Sequence, residues 1–306
     1  MNEFFKCLID SALYYSPLQT IATHHTRNAL SVLAYHEISD PERFEAQLKF
    51  LVKRMKPISL DELIASLRRN RPLPSQAVLI TFDDGDRSVY DLGLPIMKHY
   101  GLPGVVFVIT SLINSQRPFW WKEVRWLIQH GADIQDFGFS NPDTLIRHLK
   151  KMPEHKRSEI LCKLRQSAFT SMPPSQQLSD QELQELDRAG IHVGNHTHTH
   201  PFFEVCTDSE IVHELHEAHI RLESILGYTP KVFAFPYGST HKCAFSVLEE
   251  LGYELAFLFD HRKSVWPPLH PFGVSRLRVN SHDTLQRFGI SVSGLHSFIH
   301  HNLGRK

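Results

Sequence analysis

Ala77-Val78-Leu79-Ile80-Thr81-Phe82-Asp83-Asp84-Gly85 is the stretch on which the fold of this 306-residue chain turns. Residues 77–82 follow Pro72 and Pro74 and form a short, nearly continuous apolar run, which reads as a fully buried strand. Two carboxylates stand at its end, and Gly85 then lets the backbone turn sharply. Successive side chains of an extended segment point to opposite sides. Asp83 and Asp84 therefore suit two different tasks, one carboxylate on a metal and the other aimed at a water.

The same unit recurs along the chain. Val32–Tyr35 reads as a first strand, after which Phe44, Leu48, Leu51 and Val52 return at helical spacing. A helix is expected over Ser88–Tyr100, ended by Gly101, and Val105–Ile109 is the next buried strand. Ser179 with Glu182, and Thr207 with Glu210, have the spacing of capping boxes. They open one helix that stops at Gly190 and another that runs to Gly227. Strands are expected over 191–194, 232–235 and 253–259, with a helix over 244–251 between the last two. Alternating β and α units argue for parallel strands with helices outside. Chemistry-bearing residues follow at least three different strands, which favours a barrel, complete or incomplete, over an open sheet.

Between residues 117 and 177 the rhythm breaks. Trp120, Trp121 and Trp126 are followed by a basic helical region, with Lys150, Lys151, Lys156, Arg157, Lys163 and Arg165. No strand pattern lies within it, so it reads as a helical insertion on the domain of residues 31–290. Residues 1–30 form an N-terminal extension and 291–306 a C-terminal tail. Phe4, Phe5, Leu8, Ile9 and Leu13 could line one face of a helix in the extension, docked on the protein's own surface or touching a membrane peripherally.

Lys+Arg and Asp+Glu both number 33, so no global field attracts nucleic acid or an anionic membrane. Cys7, Cys162, Cys206 and Cys243 make no CxxC pair and read as reduced thiols. The N-terminus has neither the clean apolar core of a secretory signal nor a transmembrane span. A cytoplasmic location follows as an expectation, if need be at the inner membrane surface. The count of 21 His raises the expectation of a metal or proton-transfer site.

Two further runs carry chemistry. His196-Thr197-His198-Thr199-His200 follows the apolar strand at 191–194, and Pro201 disfavours a helix at His200. The setting is a loop at a strand end, where His196 and His200 converge as metal ligands while His198 faces away or supports them. Phe235-Pro236-Tyr237-Gly238 is a tight turn whose backbone N–H can aim at a developing oxyanion.

Together these residues, with Leu33-Ala34-Tyr35-His36 and Arg276-Leu277-Arg278-Val279, resemble the polysaccharide deacetylase family, the NodB-homology or carbohydrate esterase 4 group. The Phe-Ala-Phe-Pro-Tyr-Gly form is similar to a subgroup related to biofilm-glycan deacetylases. The resemblance spans about residues 30–280 apart from the insertion. It implies a distorted, incomplete (β/α) barrel of the seven-stranded type, carrying one divalent metal. Zn is the first choice, with Co, Ni, Mn or Fe as the others such a ligand set accepts. It implies Asp84, His196 and His200 as metal ligands and Asp83 as the general base that takes a proton as metal-bound water attacks the amide. The Tyr237 backbone N–H would hold the oxyanion, and acetate and a free amino sugar would result.

Two departures accompany the resemblance. Many members carry Arg two residues before the Pro-Tyr pair, where this chain has Ala234, so Arg276 is nominated to orient the base. The family's proton-donating histidine has no clean counterpart, and His270 and then His296 are nominated. The expected partner is an N-acetylated amino-sugar glycan or a lipid- or nucleotide-linked sugar, with no nucleic acid; oligomeric state is not legible. The basic stretch 147–165 would meet a phosphate or be a solvated helix face, and Trp120 and Trp121 would stack on sugars or pack in the insertion. Two alternatives stand beside the N-deacetylase: a deformylase or other linear amide hydrolase on the same site, and a catalytically silent carbohydrate-binding protein.

Overall fold

The computed structural model describes residues 3–303, so Met1, Asn2 and residues 304–306 of the expected extension and tail lie outside the described residues, as does the side chain of Phe4. Strands β1 (Ser31–Tyr35), β2 (Lys56–Pro57), β3 (Ala77–Phe82), β4 (Gly104–Val108), β5 (Ile191–Asn195), β6 (Val232–Ala234), β7 (Leu255–Phe257) and β8 (Leu277–Arg278) form one sheet. Its order is β7-β6-β5-β4-β3-β1-β8, with β2 beside β3, and every strand pairing is parallel. The sheet curls on itself, and its two edges meet at a seam. There Val274 bridges Phe257 while Leu277 and Arg278 pair with Leu33 and Ala34. This is the incomplete (β/α) barrel expected from the sequence.

Side-chain alternation along the strands divides the core. Val32, Ala77, Leu79, Val105, Phe107, Val232, Ala234, Leu255, Phe257 and Val274 fill the concave side as one buried cluster. The alternate positions Leu33, Tyr35, Val78, Ile80, Phe82, Val106, Val108 and Val193 face the outer helices. Those helices are α3 (Pro41–Arg54), α5 (Leu94–His99), α9 (Asp180–Arg188) and α10 (Asp208–Leu226), whereas α4 (Leu60–Arg68) contributes Leu60, Leu63 and Ile64 to the concave cluster. Helix α11 (Lys242–Glu250) packs on α10 over β6.

Capping chemistry sets the helix starts. Ser179 accepts from the Glu182 backbone N–H while Glu182 accepts from that of Ser179, and Thr207 with Glu210 repeats the arrangement. The helix expected over Ser88–Tyr100 is instead a π turn, Val89–Gly93, running into α5. Pro95 lies in the first turn of α5 and has no N–H to extend the ladder backwards.

Residues 117–177 hold α6 (Trp120–Gln129), α7 (Pro142–Lys150) and α8 (Glu154–Ser167), which share a separate apolar cluster built on Val124, Leu127, Leu145, Leu149, Leu161 and Leu164. At the other side, α1 (Glu3–Tyr14) packs on α12 (Leu285–Val292), and α2 (Pro17–His25) on α13 (Leu295–Leu303). Asp10 of α1 pairs with Arg287 of α12 at 3.3 Å, yet Phe5, Leu8 and Ile9 point outward. The expected boundary at 290/291 falls inside α12. Among the described residues no helix is long and apolar enough to cross a membrane.

Candidate active site

Strand alternation puts the first carboxylate inside the barrel. Residues 77 and 79 face the concave cluster, so Thr81 and Asp83 continue that side. The chain then turns: Asp84 takes φ 68° and Gly85 φ 75°, where a Cβ would lie 2.9 Å from the Val108 side chain. Asp84 is thereby directed toward the loop that leaves β5. Of the eight non-glycine residues at positive φ among those described, four are Asp84, Thr197, His200 and Tyr237. Such backbone strain concentrates at functional sites.

His196, His200 and Asp84 are buried, and one ligand atom from each lies within 4.8 Å of the others. His196 Nδ1 is 2.7 Å from the Ala234 carbonyl oxygen, which can only accept, so this nitrogen carries the proton. In the neutral ring Nε2 then presents its lone pair to Asp84 Oδ1, 3.5 Å away. His200 Nε2 stands 3.3 Å from the same oxygen, and its Nδ1 is 3.0 Å from the Tyr237 hydroxyl. Burial pushes His200 down to about 3, keeping its ring neutral. Burial raises Asp84, but the surrounding imidazoles of His196, His200 and His36 outweigh it and hold the carboxyl well below the usual range. Asp84 Oδ1 is buried with no hydrogen-bond partner. Two lone pairs and an orphaned anionic oxygen converging on one point fit a divalent cation, and a His₂Asp set suits zinc and its neighbours.

Asp83 meets Arg276, which reaches in from the seam. Nη1 donates to Oδ1 at 2.6 Å and Nη2 to Oδ2 at 2.7 Å, and neither side chain is more than 3% exposed. Burial raises the Asp83 carboxyl, but the Arg276 charge and hydrogen bonds lower it further, so Asp83 stays ionised. Arg276 also donates to Thr81 Oγ1 and to the Leu258 carbonyl. At Ala234 only a methyl group enters the concave cluster.

Asp83, Asp84, His196, His200 and Tyr237 line one cavity of about 540 Å³ beneath the insertion, with Trp121 and Lys150 from α6 and α7 on its wall. The Tyr237 turn is fixed by Gly238 at φ 73°, where a Cβ would lie 2.9 Å from the Phe259 backbone nitrogen. The other two nominated histidines are elsewhere. His270 stacks on Phe245 and accepts from the Phe272 N–H, outside the cavity lining. His296 on α13 is held between His261 and Arg287. His36 lines the cavity instead. It follows β1 as Asp83 follows β3, and because Tyr35 pairs with Phe82 the two residues sit level. That parallel was visible in the sequence as an imidazole one residue past a buried strand. Of the two tryptophans, Trp121 packs 5.4 Å from His200 on the cavity wall, while Trp120 faces Arg157.

The sequence model of the family described as polysaccharide deacetylase matches residues 70–166 and 169–256, over half of the chain. The chain belongs to the polysaccharide deacetylase family. YxkH of Bacillus subtilis strain 168 is 29% identical over 114 residues, 35% of this chain and 41% of that protein. The poly-beta-1,6-N-acetyl-D-glucosamine N-deacetylase of Staphylococcus aureus is 21% identical over 249 residues, 78% of this chain. The chain thus spans 41% and 66% of the length of these two relatives. Among solved structures, IcaB from Ammonifex degensii has a TM-score of 0.61 at 22% identity and covers 87% of this chain and 97% of its own. The Streptococcus pyogenes deacetylase PplD, solved with acetate, has a TM-score of 0.61 at 16% identity, covering 86% and 98%. Both share the fold.

Proposed function

We propose that this chain is a metal-dependent N-deacetylase acting on an N-acetylated amino sugar in a glycan, with poly-β-1,6-N-acetylglucosamine, the substrate class in the staphylococcal relative's name, as the first candidate. The observation that carries the proposal is the convergence in one cavity of the Asp84–His196–His200 cluster and the Arg276-held carboxylate of Asp83. A divalent metal held by the cluster, zinc first, would supply Lewis acidity toward the amide carbonyl and toward water.

The chain's own residues supply the rest. Asp83, ionised and fixed in orientation by Arg276, accepts a proton as water adds to the amide carbon. The Tyr237 backbone N–H, presented by the strained turn, is assigned to the carbonyl oxygen as it gains charge. His36, level with Asp83 at the end of the neighbouring strand, gives a proton to the departing nitrogen, in place of the nominated His270. The C–N bond breaks, leaving acetate and a free amine.

The test is acetate release from β-1,6-linked N-acetylglucosamine oligomers by zinc-loaded protein. Asp83→Asn is expected to lose about 10²–10⁴-fold in turnover while still binding zinc. Unchanged turnover in that variant would sink the base assignment, and an inert wild type across glycans and glycolipids would sink the deacetylase reading. Release of formate from N-formylated sugars, without acetate release, would favour the other amide hydrolase. His36→Ala is expected to lose about 10²-fold or more, with His270→Ala near wild type.

A further inference from the structure

A second cavity, of about 180 Å³, lies behind the first, and Phe119, Trp121 and His200 line both. Arg157 of α8 lines it and is 3% exposed. Its Nη1 has no hydrogen-bond partner, and among the described residues no carboxylate comes within ion-pair distance of the guanidinium. The charge rests on the Trp120 ring, 5.0 Å away. Trp120 Nε1 is itself buried and lacks a partner in hydrogen-bonding geometry, although the Tyr237 hydroxyl lies near enough to interact with it. Glu123 also lines the cavity, but Arg165 takes both its oxygens, at 2.7 and 2.8 Å. Glu154, at the rim, is exposed.

A buried guanidinium with no counter-ion is costly, and a ring face offsets only part of that cost. The unpartnered Arg157 Nη1, with Trp120 Nε1 on the same small cavity, calls for an anion with paired oxygens. Arg presents a planar fork that fits a carboxylate. We propose that this cavity is a carboxylate site that takes the acetate product once it leaves the carbonyl position beside His200. The identity of the acid rests on the deacetylase reading; the carboxylate site itself does not.

Fluoroacetate followed by ¹⁹F line broadening on zinc-loaded protein tests the proposal without turnover. Saturable binding is expected in the wild type and in Asp84→Asn, whose metal cluster is broken. Arg157→Gln should weaken it at least tenfold. Binding that survives Arg157→Gln but disappears in Asp84→Asn would place the ligand at the metal cluster alone and overturn the proposal, as would no saturable binding at all. Trp120→Phe keeps the ring and removes only the donor, so it decides the matter if Arg157→Gln does not fold. A loss of about threefold is expected there, and unchanged affinity counts against the site. Fluoroacetate binding at Arg157 with no acetate release from any glycan would leave the carboxylate site standing and remove acetate as its ligand.

Discussion

Arg276 and Asp83 neutralise each other through two short, parallel hydrogen bonds, the guanidinium fully buried and the carboxylate at the edge of the cavity. Removing the guanidinium leaves a buried carboxylate alone, which costs about 3–5 kcal/mol. The pH dependence has a definite sign. Asp83 titrates below its unfolded value, so the pair stabilises the fold above that value and the benefit is lost as pH falls through the folded one. Denaturant unfolding of wild type and Arg276→Met should therefore differ most near neutral pH, and the gap should close below about pH 4. A gap independent of pH would mean that Arg276 contributes packing alone. At this scale Asp83, Asp84, His196 and His200 could be read directly, because each follows an apolar run and offers a charge or imidazole. His36 shares that signal, an imidazole just past a buried strand, but among 21 histidines only strand register singles it out by setting it level with Asp83.

Among the elements, the loop after β5 depends on α10 for its shape. Glu214 accepts from the backbone N–H groups of His198 at 2.9 Å and Thr199 at 2.8 Å, and from the Thr199 hydroxyl at 2.6 Å. Asn195 accepts from the Thr197 N–H, which helps hold Thr197 at φ 68°. The histidines thus converge because a carboxylate 14 residues or more further along the chain pins the backbone between them. Glu214→Ala is expected to weaken zinc binding about 10–100-fold, measured by competition with a chelating dye, with far-UV circular dichroism unchanged. Helices α3, α5, α9, α10 and α11, two capping boxes and the six strands β1 and β3 to β7 were legible in local pattern. The seam strand β8 was not, for a strand of two residues has no periodicity to read. Its place is fixed by pairing with β1 and by Val274 against Phe257, contacts that no local window contains.

For the molecule as a whole, the metal cluster draws on β3 and β5 and is steadied by the β6 carbonyl of Ala234, so occupancy would tie separate parts of the barrel together. Zinc at about 100 times its dissociation constant would add about 2.7 kcal/mol to stability. Chelation should lower Tm by on the order of 5 °C in calorimetry. An unchanged Tm on adding back zinc would argue that the cluster holds no metal. Barrel class was legible because strand and helix periods alternate along most of the chain. The layer formed by α1, α2, α12 and α13 was not, because its helices pair across more than 260 residues of sequence.

The seam has a consequence for how the chain is made. Asp83 and Arg276 are 193 residues apart, and the guanidinium arrives just before β8, after strands β1 to β7 have been made. Until then Asp83 faces an apolar interior without its partner, and a contact of such span is entropically slow to close. The nascent barrel must remain open at the β7 edge until Arg276 has been made. A ribosome stalled before residue 276 would display most of the sheet and every candidate metal ligand, yet hold a folding intermediate whose interior carboxylate keeps it from closing.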